Sequence, residues 1–253
     1  MRRIAFFIYG TACYALFFGV FLYAIGFIGN FAVPTTLDGE LNGSLGGALL
    51  VNAILLSIFA IQHSVMARPW FKRWWTQFVP KAIERSTYVL FSNIAMILMF
   101  AFWKPMGGSV WNVEGTARIV LYALFGLGWL TVFYATLLVN HFDLFGLRQV
   151  WLYLLNKPYT QLPFREPSLY KHVRHPLYVG WIMVMWFTPS MTTAHLFFAI
   201  ATTAYILIAI QFEERDLDKA LPGYSEYRKR VPMLVPSFRF NNASSKSLGE
   251  QVA

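Results

Sequence analysis

Charge is scarce in this chain. Asp, Glu, Lys and Arg make up 13% of its 253 residues and hydrophobic types 57%, whereas soluble domains carry roughly 25% charge. A chain of this balance cannot cover itself with polar surface in water, which excludes a soluble globular protein and places it in a bilayer. Cysteine is almost missing: Cys13 stands alone inside an apolar run, so an intrachain disulfide and a Cys-based zinc site are excluded. There is no Walker-type glycine loop, no G-x-G-x-x-G after a strand and no internal repeat, and no Ser-His-Asp order is readable. His172 and His175 lie three apart with no third ligand at a metal-binding spacing, so no metal is expected.

What the chain does have is long apolar runs. Ile4 to Ile28, Leu45 to Met66, Tyr88 to Trp103 and Ile119 to Val139 approach the roughly 20 apolar residues a spanning helix needs. Two more, Leu177 to Phe187 and Leu196 to Phe212, are divided by Thr188-Pro189-Ser190 and read as a helical hairpin whose first arm is short. The fold class is therefore all-α, a polytopic transmembrane bundle of about six crossings with the fifth short. The Arg2-Arg3 start resembles a signal peptide but lacks a small-residue cleavage site, so it reads as the first anchor. All basic residues except Lys104 and Arg118 fall in alternate loops, and the other loops carry Asp38, Glu40 and Glu114. By the positive-inside rule both termini are cytoplasmic, in a membrane expected to be the bacterial inner membrane. The net charge of +9 then follows from topology and from anionic lipid headgroups, with no call for nucleic acid; no protein partner is implied.

Polar residues interrupt this pattern at few places. Gln62 and His63 lie near the end of the second run, where anchoring does not need them, and are expected to line a substrate pocket. Glu84-Arg85-Ser86 reads as an ion pair and a helix cap. Asn140 precedes Asp143 by three residues, the spacing of an N-cap with an acid near the helix dipole; there His141, Asp143, Arg148 and Gln149 also bring titratable and cationic groups to the bilayer surface. Gly19, Gly26, Gly29, Gly126 and Gly128 are expected to let helices approach closely. Prolines 158, 163 and 167 make 151–167 a loop. From Glu213 to Pro232, charges alternate with apolar residues, predicting an amphipathic helix, a turn at Pro222-Gly223 and a short helix lying on the membrane. The Ser-rich tail 241–253 is expected to be disordered.

The densest polar motif is Tyr170-Lys-His-Val-Arg174-His175-Pro176-Leu177-Tyr178-Val-Gly180, entering the hairpin, with Glu213-Glu214 at its far end. A hairpin returns the two acids to the side that holds Arg174 and His175. Aromatic, His, Arg and acidic groups in one cluster suit a zwitterionic, nucleotide-like cofactor. Together with Gly223-Tyr-Ser-Glu-Tyr-Arg-Lys-Arg-Val-Pro232, this motif resembles the cofactor core of the isoprenylcysteine carboxyl methyltransferase superfamily of membrane proteins. The resemblance implies S-adenosylmethionine as methyl donor, with Tyr170, His175, Pro176, Leu177, Tyr178 and Glu213 along its site. It also implies an organisation of 1–140 as N-terminal transmembrane helices and 141–240 as the methyltransferase core.

Members that methylate a prenylcysteine carboxylate have an Arg four residues before the first Glu of the pair; here that position is Ala209. Gln62-His-Ser-Val-Met-Ala-Arg68, Glu84-Arg-Ser86 and Asn140-His-Phe-Asp-Leu-Phe-Gly-Leu-Arg-Gln149 look like the branch that contains methanethiol S-methyltransferases. That resemblance implies a small thiol substrate, methanethiol, converted to dimethyl sulfide. His141 or Asp143 is then a candidate proton acceptor, and Arg148 or His63 a candidate stabiliser of the developing anion. The rival readings are an NADPH-dependent membrane reductase of related architecture and a non-catalytic membrane protein of the denitrification-associated type.

Overall fold

The computed structural model describes residues 1–163 and 165–236; the tail expected to be disordered lies outside them. Among the described residues five helices are long and apolar enough to cross a membrane: α1 (Arg2–Gly29), α2 (Leu45–Ala67), α4 (Lys81–Phe102), α5 (Gly115–Val139) and α9 (Thr193–Ala220). Between them run the short helices α3 (Pro69–Trp75), α6 (His141–Leu144), α7 (Leu147–Leu154) and α8 (Pro176–Trp186), with α10 (Tyr224–Arg230) last. Side chains such as Ile4, Ile8, Leu50, Ile54, Ile61, Ile119 and Leu130 point outward and are more than half exposed or close to it, the expected finish for helices solvated by lipid tails.

The helix starts are chemically specified. Ser44, Asn140 and Thr192 each accept a backbone N–H three residues on, capping α2, α6 and α9, and such caps contribute about 1 kcal/mol each. Pro69 and Pro176 occupy first-turn positions, where a missing amide costs nothing. Glu84 lies in the first turn of α4, favourably placed for the helix dipole. The ion pair expected of it with Arg85 does not form among the described residues; Arg85 turns away, donates from Nε to the Leu144 carbonyl at 2.7 Å and lies over the Tyr88 ring.

The fifth crossing is short, as the sequence indicates. The 11 residues of α8 rise about 16 Å against a hydrocarbon core of about 30 Å. An extended link finishes the passage: β2 (Ser190–Thr192) pairs antiparallel with β1 (Ser109–Asn112), in the loop joining α4 to α5. The far end of α8 is thereby tied to the face opposite the basic one. That opposite face is well knit. Asn52 bridges the Lys104 backbone through both amide atoms, Trp103 donates to the Leu37 carbonyl, and Asp38 accepts from Thr192 and lies 3.8 Å from His195.

Packing is set by a few close approaches. α5 lies along α8, and a Cβ added at Gly128 or Gly180 would come within 3.0 Å of the other's carbonyl oxygen. The wider expectation for glycine holds in part: Gly29 lies against Phe125 of α5 as well as Phe31, whereas Gly19 and Gly126 face open space and Gly26 lies under Phe31 and Val33 of its own following loop. The sequence cannot show which way a glycine faces. The loop after the fourth span also starts later than expected, because α7 continues through Leu154. At the C-terminal end the turn and short helix form as anticipated. The apolar face of α10, however, is turned inward: Tyr224, Tyr227 and Val231 are buried with Leu217 and Leu221, so the protein itself, rather than the membrane, covers them.

Candidate active site

On the basic face the start of α8, the end of α9 and α10 are fastened together by Arg174. Its Nε donates to Glu214 Oε1 at 2.7 Å, and its Nη1 donates to the carbonyls of Arg228 and Val231. His175 Nε2 meets the same Glu214 oxygen at 3.0 Å. The backbone follows suit, since the amides of Arg174 and His175 donate to the carbonyls of Pro232 and Met233. Glu214 is therefore consumed as a strut.

Glu213, one residue earlier, is used differently. Among the described residues it has one hydrogen-bond partner, Tyr178, whose hydroxyl donates to Oε2 at 2.9 Å. Its carboxylate lies within electrostatic reach of Tyr88 on α4 and Tyr205 on α9. Burial, helped by the charge of Glu213, pushes the Tyr170 phenol up from its ordinary value. One acid with spare acceptor capacity, surrounded by phenols, fits a cationic, hydroxyl-bearing ligand such as a nucleoside sulfonium. Of the six residues expected along the cofactor, His175, Pro176, Leu177 and Tyr178 follow one another at the mouth of α8, Glu213 bonds Tyr178, and Tyr170 lies close enough for Glu213 to act on it. Within the mouth His175 meets Glu214 and Tyr178 meets Glu213.

The α6–α7 residues form a separate knot of hydrogen bonds, in which the buried Gln149 Oε1 is left without a partner among the described residues. Asp143 accepts from Arg148 at 2.9 Å, from Gln149 and from Tyr159, while Arg148 also donates to the Thr160 carbonyl and hydroxyl. His141 is 5% exposed, with Nε2 2.8 Å from the Tyr14 hydroxyl and Nδ1 2.8 Å from Thr136 Oγ1. Rings of Phe17, Phe133, Phe142 and Phe145 enclose it. Burial disfavours the imidazolium and pulls its pKa below the ordinary value. No described hydrogen bond or ring contact joins His141 to α8 or α9.

His63 sits elsewhere, between α2 and α4. The Tyr88 hydroxyl lies 2.9 Å from Nε2, Ser92 Oγ lies 3.2 Å from Nδ1, and Phe59 stacks on the ring with centroids 5.1 Å apart. The next residue, Ser64, reaches Tyr205 of α9 at 3.1 Å, and Arg68 pairs with Asp216 of α9 at 2.9 Å. Gln62 faces another way: it donates to Met66 Sδ and lines a shallow outward groove with Ile54, Ile58 and Ile61. Sequence reading missed Tyr88 and Tyr205. Both are hydroxyls inside apolar runs, the same signal that drew notice to His63.

No family model and no solved structure matches this chain. Curated relatives do. It is 55% identical to a methanethiol S-methyltransferase of Crocosphaera subtropica over 232 residues, 90% of this chain and 91% of that one. To one of Mycobacterium tuberculosis it is 52% identical over 238 residues, 93% and 98% of the two chains. The chain belongs to the methanethiol S-methyltransferase family. A more distant likeness, 28% over 183 residues, is to Nurim of Rattus norvegicus, covering 69% of this chain and 70% of that one. Membership of this family selects the methyltransferase reading over the reductase and the non-catalytic ones.

Proposed function

We propose that this protein is an integral membrane enzyme that methylates methanethiol to dimethyl sulfide with S-adenosylmethionine as donor. The observation that carries the reading is the Glu213 mouth, with its spare carboxylate capacity among tyrosines, in a chain whose near relatives bear that activity in their names. When bound, the donor supplies an electrophilic methyl on a sulfonium. The net change is methanethiol plus the sulfonium cation giving dimethyl sulfide, S-adenosylhomocysteine and one proton. Glu213 holds the donor's hydroxyl or ammonium groups, and Tyr170 and Tyr178 wall the site. Glu214 and Arg174 hold the His175–Tyr178 turn in place, so positioning is supplied by the fold before any ligand arrives.

A carboxylate substrate is disfavoured. Ala209 brings no cation where the resemblance would need one, and an unpaired carboxylate in an apolar site is costly. Arg174 cannot substitute, because Glu214 already neutralises it. A neutral thiol has no such requirement. The basic face is the cytoplasmic one in this reading, with both termini there and the donor drawn from the cytoplasm.

The test is incubation of the purified protein with methyl-labelled S-adenosylmethionine and either methanethiol or a prenylated cysteine. Labelled dimethyl sulfide in the headspace is expected. Preferential labelling of the prenylated cysteine would overturn the substrate. Reporter fusions at Asn242 and Gly39 should give opposite signals, and equal signals would overturn the orientation.

A further inference from the structure

A lateral groove lies beside the His63 cluster, from which Phe59 separates it. Between α2 and α9 lies a cavity of about 220 Å³ lined by Ala53, Leu56, Phe59, Phe197, Ala201 and Tyr205, among others. It sits partway along both helices and is flanked by the exposed apolar residues Ile54 and Ile58 of α2 and Leu207 and Ile208 of α9. It therefore opens at the depth of lipid tails. Two of its walls are shared with the polar cluster. Phe59 is the ring stacked on His63, and Tyr205 is the hydroxyl bonded to Ser64 and within reach of Glu213.

The protonation pattern of His63 can be read from its neighbours. Ser92 Oγ lies 3.1 Å from the Tyr88 carbonyl and 3.2 Å from Nδ1, and when it donates to that carbonyl Nδ1 is left to donate to it; the Tyr88 hydroxyl lies 3.0 Å from Nδ1 and 2.9 Å from Nε2. Nε2 is then the nitrogen with the free electron pair. It accepts from the Tyr88 hydroxyl at 2.9 Å, and that hydroxyl has the His63 carbonyl at 3.4 Å as a second acceptor, so it can turn aside without losing all its bonding. We propose that His63 Nε2 takes the proton of methanethiol, and that the thiol reaches it from the bilayer along the α2–α9 groove. This rests on methanethiol being the substrate.

The step is a single proton transfer. The S–H bond breaks, its electron pair stays on sulfur, and the proton bonds to Nε2; the imidazolium then returns that proton to water. The groups around the cluster are Arg68 at the C-terminal end of α2, paired with Asp216, Tyr88 and Arg85 of α4, and Tyr205 with Glu213 of α9. Arg68 and Arg85 bring positive charge that favours the nascent thiolate and opposes the imidazolium, so the proton has to pass on to water promptly. An apolar thiol of two heavy atoms suits the groove, whose walls are alkyl and aromatic with Ser57, Thr202 and Tyr205 as the hydroxyl-bearing residues.

His63→Gln tests the role. At neutral pH, methanethiol methylation should fall about 10²-fold, the low end for losing a general base, with S-adenosylmethionine affinity unchanged by calorimetry. The deficit should narrow as pH rises and the thiol ionises unaided. A second readout needs no donor. In protein with ¹⁵N-labelled histidine, the His63 nitrogen resonances, assigned by their loss in His63→Gln, should move when methanethiol is added and stay when methanol is added. Unmoved resonances, or a variant with the parent rate and pH profile, would overturn the assignment. Ala201→Phe, which fills the groove, should raise KM for methanethiol at least about 10-fold with kcat retained; an unchanged KM would remove the access route. Should the parent protein make no dimethyl sulfide, the functional reading fails by itself, and the resonance shift still decides whether His63 receives a thiol.

Discussion

His63 and His141 are built alike and housed differently. Each imidazole sets Nδ1 against a hydroxyl that itself donates to a helix carbonyl, Ser92 to Tyr88 in one case and Thr136 to Phe133 in the other. Each sets Nε2 against a tyrosine hydroxyl, Tyr88 or Tyr14. Hydrogen bonding alone would make them equal candidates for a base. The surroundings separate them: four phenylalanine rings close over His141, whereas His63 stacks on Phe59, a wall of a lipid-facing groove, and its partner Tyr88 lies within electrostatic reach of Glu213. The lesson is that a basic nitrogen needs a route for its substrate as well as a tautomer.

The comparison can be broken or sharpened by substitution. The largest effect should come from Glu214→Ala, which leaves the nearly buried Arg174 without its partner. Breaking such a pair costs about 3–5 kcal/mol, and the melting temperature should fall accordingly. If the α8–α9 mouth supports the His63 side, that variant should disturb the His63 resonances and spare those of His141; the reverse pattern would invert the comparison.

A smaller loss is expected in ligand binding. Glu213→Gln removes a charged acceptor and should weaken S-adenosylmethionine by about 1.5–3 kcal/mol, measured by calorimetry. Asp143→Asn, in the α6–α7 knot, should leave that affinity unchanged. Equal effects of the two variants would mean that the knot and the mouth form one site.

The smallest effect concerns pH. Burial holds the His141 pKa below its ordinary 6.5, so the folded state prefers the neutral ring. Its contribution to stability is complete above about pH 6.5 and declines as pH falls below that value, because the unfolded chain takes up the proton more readily. Thermal unfolding followed from pH 7.5 to 5 should show this decline. His141→Asn should flatten it, and a slope unchanged in that variant would show that another group is responsible.

Much of the architecture was legible residue by residue. Run lengths and charge placement predicted the bundle, the short fifth crossing and the segregation of basic groups to one face, and the Asn140 cap and the Pro222-Gly223 turn formed as their spacing indicated. The candidate site was legible as a motif but not as a set of contacts. Adjacent glutamates look interchangeable in a string, yet they project about 100° apart around a helix, which points Glu214 into Arg174 and His175 and Glu213 toward Tyr178.

What the sequence alone determined is what one dimension can encode: the solvent the chain must live in, how often it crosses, which ends carry charge, and where helices start and stop. Each follows from local composition, because hydrocarbon rejects charge and unsatisfied backbone over any run of sufficient length. Tertiary structure decided the rest. Whether Gly180 admits a neighbouring backbone while Gly126 faces open space, whether α10 shows its tyrosines to lipid or to protein, and which imidazole stacks on the wall of a groove all depend on helix rotation and partner choice. Those are settled by packing between segments far apart in the chain, and no local pattern carries them.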